Sequence, residues 1–421
     1  MIVQRTETHF IKESHPIYHW IVEECSRSRN LYNKTLFIYR QAFTGNHDKI
    51  EDFKSIIRHD KFISSFELVK QMAKLKDVDY YSMTKKNSGT QVVCQVDKVM
   101  KSWFASLKAY KKDSSKFRGR PRIPSYKKKN ELNCLIYTYV DAKLQKDGTI
   151  NLKRDIKLPI HTNLKNLQQV RLVPKTGYVQ VEIIYNKEIV DSNLDKTRAI
   201  GIDLGLNNLM AITSNIGNIS NLVNGRPLKS INQYYNKRKA HLVSLLEKGK
   251  LKSSERLRRL EMKRTCKIKD YLHKTSRRIV ELMEQNNIGT CFIGHNKDWK
   301  QEVEMGKKNN QNFVFIPHSL LISMLKYKIE EKGGILIELN ETYTSKCSFL
   351  DNEEICKHET YKGKRVKRGL FLSENKKALN ADINGSLNIL KQGMKFSFPF
   401  NGKFFRPTKI DIQKKLLNFA S

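Results

Sequence analysis

The sequence predicts a mixed α+β chain of several domains, and three observations carry that expectation. Helical apolar spacing fills most of residues 16–112, short β-type runs broken by glycine turns follow between about 134 and 187, and strands then alternate with long basic helices. A length of 421 residues leaves room for roughly two to four hydrophobic cores.

Residues 1–13 alternate apolar and polar side chains and predict a strand. From Pro16, the spacing of Trp20, Ile21, Cys25, Leu31, Tyr32, Leu36, Phe37 and Phe43 predicts a long helix with Arg27, Arg29, Lys34 and Arg40 on its polar face. Further helical patterns cover about 46–76 and 88–112. In the second, Val92, Val96, Val99, Met100, Trp103, Phe104 and Leu107 share a face and read first as core. Lys116–Lys129 breaks the pattern with Gly119, Pro121 and Pro124. Its basic residues, with Phe117 and Tyr126 among them, suit a groove that holds a nucleic-acid backbone, and they suit a solvated linker as well. Runs at about 134–140, 149–157, 168–174 and 177–187, with turns at Asp147-Gly148 and Thr176-Gly177, predict a small barrel or sandwich to which the N-terminal strand returns.

Asp191–Asp195 marks a boundary. Beyond it the pattern gives strands at 199–205, 208–213 and 216–223, basic helices at 229–248 and 253–287, a strand at 290–294, a helix at 317–332, a strand at 335–339 and a last helix. That order is the order of an RNase H-like fold, in which acids gather at strand ends along one sheet edge. Two segments supply such acids. The apolar run Ala199-Ile-Gly-Ile-Asp-Leu-Gly205 ends in one carboxylate, Asp203, and Asn380-Ala-Asp-Ile-Asn-Gly-Ser-Leu-Asn388 opens a helix of small residues with Asp382. Either alone reads equally as a strand-end turn or a helix cap. Together they point to metal-dependent phosphoryl transfer.

Lys and Arg number 79 against 42 acids, a formal charge of +37 spread along the whole chain. Such self-repulsion is relieved by a polyanion, and nucleic acid is the expected partner. No apolar stretch is long enough to span a membrane and none reads as a signal peptide. Seven cysteines without regular spacing predict reduced thiols and a cytoplasmic, nucleoid-associated protein.

Seven blocks in register resemble the TnpB-type RNA-guided nucleases of insertion sequences and their relatives, the miniature type V CRISPR effectors. They are Arg29-Asn-Leu-Tyr-Asn33 with Arg40-Gln-Ala-Phe43, Gly119-Arg-Pro-Arg-Ile-Pro-Ser-Tyr126, Gly201-Ile-Asp-Leu-Gly205, Gly294-His-Asn-Lys-Asp-Trp-Lys-Gln301, Tyr343-Thr-Ser-Lys346, Gly363-Lys-Arg-Val-Lys-Arg-Gly369 and Asn380-Ala-Asp-Ile-Asn-Gly385. The resemblance implies a β-barrel wedge domain (1–13 and 116–192) interrupted by a helical recognition lobe (14–115). An RNase H-like RuvC nuclease domain follows (193–342 and 379–394), with a small zinc-ribbon-like insertion (343–378) and a tail (395–421). The implied partners are a guide RNA and target double-stranded DNA, bound by a monomer, and the implied cofactor is a pair of Mg²⁺ ions. Candidate nucleic-acid contacts are Arg27, Asn30, Asn33, Arg40, Phe117, Arg118, Arg120, Tyr126, Lys127, Lys274, Arg277, Lys300, Lys364, Arg365 and Arg368.

The sequence departs from the family pattern twice. The usual second acid ends a strand that here reads Cys291-Phe-Ile-Gly294-His295, and neither Gly294 nor His295 can replace it. Glu341, just past the end of the next strand, is the expected substitute, so Asp203, Glu341 and Asp382 are the candidate catalytic and metal-binding residues; Glu338 and Asp298 are weaker ones. The alternative is a decayed site in an RNA-guided DNA-binding repressor, and a CRISPR effector is the other relative. A DNA-strand transposase lacks its His-x-His and tyrosine signature here. For zinc, only Cys347, Cys356 and His358 are available where four ligands are needed, so the expectation is no zinc and a basic hairpin instead. His273 and Trp299 read first as packing residues, as do Phe396, Phe398, Phe400, Phe404 and Phe405 of the tail.

Overall fold

The computed structural model describes residues 2–58, 62–153, 155–189, 191–296, 316–367, 369–394, 402–410 and 412. The chain forms two compact units, residues 2–188 and 189–421.

In the first unit, strand β1 (Ile2–Lys12) leads into helix α1 (Ile17–Thr44), which stops at Gly45 in the left-handed region with φ 81°. Only glycine adopts that conformation readily, so the chain turns there. The continuous helical pattern expected at 46–76 is instead a 3₁₀ segment (His47–Ile56) and a separate helix α2 (Ser65–Lys74). The 3₁₀ segment is broken by a kink at Ile50 (φ −136°, ψ 44°), and Ile50 and Phe53 are its buried residues. Helices α3 (Val78–Tyr81) and α4 (Lys86–Lys112) complete the helical part.

Strands β2 (Leu135–Thr138), β3 (Lys143–Leu144), β4 (Thr149–Lys153), β5 (Ile156–His161), β6 (Leu167–Lys175) and β7 (Tyr178–Glu188) follow. They divide into two sheets, β1-β7-β6-β2 and β3-β4-β5. The short turns between β3, β4 and β5 let these strands satisfy one another's backbone groups locally. Strand β1 does return, pairing antiparallel with β7 from Ile2–Glu188 to Lys12–Tyr178. One apolar core joins the helices to these strands, from Ile21 and Leu31 to Val181 and Ile183.

The second unit is built on a six-stranded sheet in the order β12-β11-β8-β9-β10-β16. Its strands are β8 (Asp195–Leu204), β9 (Asn208–Ser214), β10 (Ser220–Asn224), β11 (Ile288–Gly294), β12 (Ile335–Leu339) and β16 (Thr408–Ile410). Strands β8, β9 and β10 are antiparallel neighbours, whereas β11 runs parallel to both β8 and β12. The parallel steps are bridged by helices, as such connections require: α5 (Arg226–Lys248) and α6 (Glu255–Gln285) precede β11, and α7 (His318–Glu330) precedes β12. A small sheet of β13 (Lys364–Lys367), β14 (Leu370–Leu372) and β15 (Ala378–Leu379) leads into helix α8 (Ala381–Met394).

Helix α8 lies against β8 at unusually close range, and glycine makes that possible. A Cβ on Gly201 would lie 2.5 Å from the Ser386 carbonyl oxygen and 2.8 Å from Leu390 Cβ. Ser386 uses the proximity: its hydroxyl donates to Gly201 O at 2.8 Å and sits 2.9 Å from the Thr213 hydroxyl. Among the described residues, no helix is long and apolar enough to cross a membrane.

Candidate active site

Three acids from three elements line one cavity of about 660 Å³ in the second unit. Asp203 sits at the end of β8, Glu341 just past β12, and Asp382 in the first turn of α8. The parallel pairing of β8 with β11 and of β11 with β12 brings the first two to the same sheet edge. Helix α8 brings the third, and Asn380 caps it by accepting from Asp382 N at 3.0 Å and Ile383 N at 3.3 Å. Gly385, one turn on, faces Asp203 so closely that a Cβ there would lie 2.9 Å from Asp203 Oδ2.

Glu341 occupies space that Gly294 leaves open. A Cβ on Gly294 would meet Ile389 Cδ1 at 2.6 Å, Glu341 Cβ at 3.1 Å and Glu341 Oε2 at 3.2 Å. The missing side chain at the end of β11 and the acid past β12 are therefore complementary. Asn296 accepts from Glu341 N at 3.1 Å, and the Glu341 carbonyl accepts from the Thr344 hydroxyl at 2.8 Å. Farther along α8, Asn388 Nδ2 donates to Thr344 O and Cys347 O, each at 2.8 Å, and Asn384 Nδ2 donates to Cys347 O at 2.8 Å. The buried asparagines of the last helix thus tie down the segment that begins with Glu341. Glu338, the weaker candidate, points elsewhere and pairs with His295 at 3.2 Å.

The electrostatics are those of crowded carboxylates. Burial, then the neighbouring Asp382 and Glu341, push the Asp203 carboxyl well above the usual carboxylate range, with Arg365 opposing. Asp203 keeps some solvent access through the cavity, so burial raises its carboxyl without sealing it. Burial pushes Glu341 up to about 7. Asp382 is held from two sides: Asn208 Nδ2 donates to it at 2.7 Å, and Arg365 Nη2 lies 3.4 Å away. Among the described residues, no group of three or more His, Cys, Asp or Glu side chains is arranged around a single metal position.

The other candidates distribute as follows. Arg365, with Arg226, lines the acidic cavity, and Lys364 is exposed on the same β13 strand. Lys274 pairs with Asp270 at 2.8 Å and Arg277 with Glu281 at 3.1 Å, both exposed on α6. In the first unit, Arg27 is engaged by Glu23 and Glu24 and donates to Ser82 O. Asn30 accepts from Arg29. Asn33 clamps the basic segment, donating to Lys127 O at 2.9 Å and accepting from Lys127 N at 2.8 Å. Arg40 stacks over Tyr126, and Lys127 lies over Tyr32. Phe117 packs edge-on against Tyr110, while Arg118 and Arg120 are exposed. The start of this segment thus packs on α4, where Trp103 Nε1 also donates to Pro121 O at 3.3 Å, and its end is strapped to α1. Cys356 Sγ lies 3.4 Å from His358 Nε2, and Cys347 is buried with its thiol toward Cys356 O. Lys300, Arg368, Asp298, Trp299 and the tail residues Phe396, Phe398 and Phe400 lie outside the described residues. Phe404 is buried and Phe405 exposed.

Sequence reasoning missed Asn208 and Asn296, and it placed Arg365 on a substrate-strand hairpin, not beside the acids. The one available signal for Asn208 was its place at the start of the strand that follows Asp203.

Comparison with known proteins finds partial matches. Residues 180–300 match the OrfB_IS605 family, described as "Probable transposase", and residues 318–389 match the Cas12f1-like TNB domain. The chain is 25% identical over 205 residues to the TnpB-like protein ORF457 of Acidianus two-tailed virus, covering 47% of this chain and 42% of that protein. It is 26% identical over 245 residues to the CRISPR-associated endodeoxyribonuclease Cas12f2 of a Micrarchaeota archaeon, covering 53% and 42%. The chain thus spans less than half the length of these curated relatives. The Cas12f1 chain of a solved complex with sgRNA and target DNA aligns with a TM-score of 0.49 at 14% identity, over 87% of this chain and 82% of that one. Over these spans the chain is similar to TnpB-like proteins and to Cas12f endodeoxyribonucleases.

Proposed function

We propose that the chain is an RNA-guided DNA endonuclease whose cleavage site is formed by Asp203, Glu341 and Asp382. The observation that carries the reading is the meeting of these carboxylates, from three separate elements, in one open cavity with Arg226 and Arg365. In this reading the second unit is an RNase H-like RuvC nuclease domain with residues 343–378 as its insertion. The first unit combines the wedge and helical recognition parts. The charge of +37 supports a guide RNA and duplex DNA as partners, because guide pairing reads sequence while the protein holds backbones.

The donors fit Mg²⁺. Carboxylates and the nearby amides of Asn208 and Asn296 are hard oxygen ligands, and crowded acids with raised proton affinity are relieved by cations. Bound ions would supply Lewis acidity at a phosphodiester. The chain's own residues do the positioning. Asn208 orients the Asp382 carboxylate, and Asn296 fixes the backbone at Glu341. Arg365 holds positive charge at the acids, where a phosphate would arrive.

A second reading, an RNA-guided repressor without cleavage, is favoured by one observation: the Asp382 carboxylate is already engaged by Asn208 and Arg365. The test is to purify the protein with RNA transcribed from its own locus and offer plasmids matching that RNA. The nuclease reading expects linear product with Mg²⁺, none with EDTA, and none from Asp203→Ala. Matched binding without cutting by the unmutated protein selects the repressor. Absence of matched binding overturns RNA guidance itself. The RNA recovered also separates a transposon-encoded guide from a CRISPR-derived one.

A further inference from the structure

A second cavity, of about 620 Å³, opens between α5 and α6, away from the acids. Its composition is unusual for a helix–helix seam. On α5, Tyr234, Arg238, Leu242 and Leu245 recur at helical spacing along one face, yet Tyr234 is 62% and Leu245 51% exposed. Where α6 would normally return an apolar stripe, Leu260 is its single apolar lining residue, set among Arg256, Arg259, Lys263 and Lys267, all exposed. The helices hold together behind the cavity: Arg264 donates to Asn232 at 2.8 Å and stacks on buried Tyr235, whose hydroxyl donates to Glu261 at 3.2 Å. None of the side chains lining the groove is acidic.

We propose that this groove holds a single-stranded nucleic acid, with one unstacked base on Tyr234 and the phosphates of the strand running along Arg238, Lys263 and Arg256. The occupant follows from charge complementarity. A flat apolar body with negative charge on both flanks is what an exposed aromatic floor with a purely cationic rim can recognise, and that is the shape of a nucleotide within a strand. A base pair inside a duplex offers no free face, so duplex is excluded as the occupant. The volume lies within the range of about 300–1,000 Å³ usual for small-ligand clefts. The proposal stands on the α5–α6 groove alone and does not require that the cavity at Asp203 cuts.

The experiment uses the full chain and short uridine-rich RNA and DNA single strands, each carrying one photoreactive 5-iodouridine, with a duplex of the same sequence as a third arm. Crosslinked peptides are mapped by mass spectrometry, and affinities are read by anisotropy across a salt series. The expected adduct is on Tyr234, with either or both single strands and not with duplex. Tyr234→Ala should weaken binding of the crosslinking strand by about 5- to 150-fold without changing the salt slope, whereas Tyr234→Phe keeps it. Arg256→Gln should lower the slope by about one. The RNA and DNA arms identify which strand is taken. Adducts confined to other elements, equal loss in Tyr234→Phe and Tyr234→Ala, or displacement of the strand by an acidic peptide at equal charge would each overturn the proposal.

Discussion

Replacing Gly201 by alanine tests whether the contact between β8 and α8 builds the site. The added Cβ would lie 2.5 Å from Ser386 O, 2.8 Å from Leu390 Cβ and 3.0 Å from Leu390 N, all atoms at or next to the helix backbone. Ordinary carbon contacts begin near 3.5 Å, so α8 must retreat by about 1 Å. Overpacking of this kind typically costs about 1–3 kcal/mol. For a unit of this size each kcal/mol lowers Tm by about 2–4 °C, which gives a fall of about 2–12 °C. The same retreat lengthens the 2.8 Å bond from Ser386 to Gly201 O and carries Asp382 away from Asp203. A displacement of 1 Å can slow a chemical step by about 100-fold. Calorimetry with cleavage rates measured well below Tm reads both effects. Gly119→Ala is the control, because nothing lies within 4 Å of its Cβ position. If Gly201→Ala unfolds within a degree of the unmutated chain and cuts at its rate, the close apposition of strand and helix is wrong.

Three other outcomes follow. Asp203→Ala, Glu341→Ala and Asp382→Ala should each abolish cleavage while RNA-guided binding, read by gel shift, survives; full cutting by Glu341→Ala would move attention to Glu338. Asn388→Ala leaves the Thr344 and Cys347 carbonyls short of a buried donor and should lower stability by about 1–3 kcal/mol in urea titration, and an unchanged midpoint would refute that role. Protein stripped of nucleic acid should aggregate at low salt and recover with RNA, given the charge of +37; a monodisperse RNA-free sample of equal stability contradicts this.

The sequence made part of the site legible because part of it is local. A run of apolar residues ending in Asp203, and small residues after Asp382, state their own secondary structure and carry the acids to predictable ends. Glu341 was legible only as a candidate, since its place depends on what Gly294 omits and on where Ile389 stands, facts of three separated segments. Arg365 reached the acids through a hairpin whose direction no spacing reveals. Polar faces misled for the same reason. Arg27 and Asn33 look exposed on a helical wheel, but Arg27 also reaches the Ser82 carbonyl, 55 residues away, and Asn33 pairs with Lys127, 94 residues away. The exposed tyrosine of α5 could not be read as unusual until α6 was seen to answer it with arginine and lysine.

The asparagine-rich last helix has a consequence in time. Asp203 leaves the ribosome well before Asp382 does, and at about 5–20 residues per second the gap is on the order of 10–40 s. During that interval the sheet edge carries its first acid with no helix to seat the loop of Glu341. A nascent chain therefore carries much of its positive charge before the three acids can meet. In the proposed nuclease reading, the late arrival of the last helix is a built-in delay in assembling the cutting centre that needs no inhibitor.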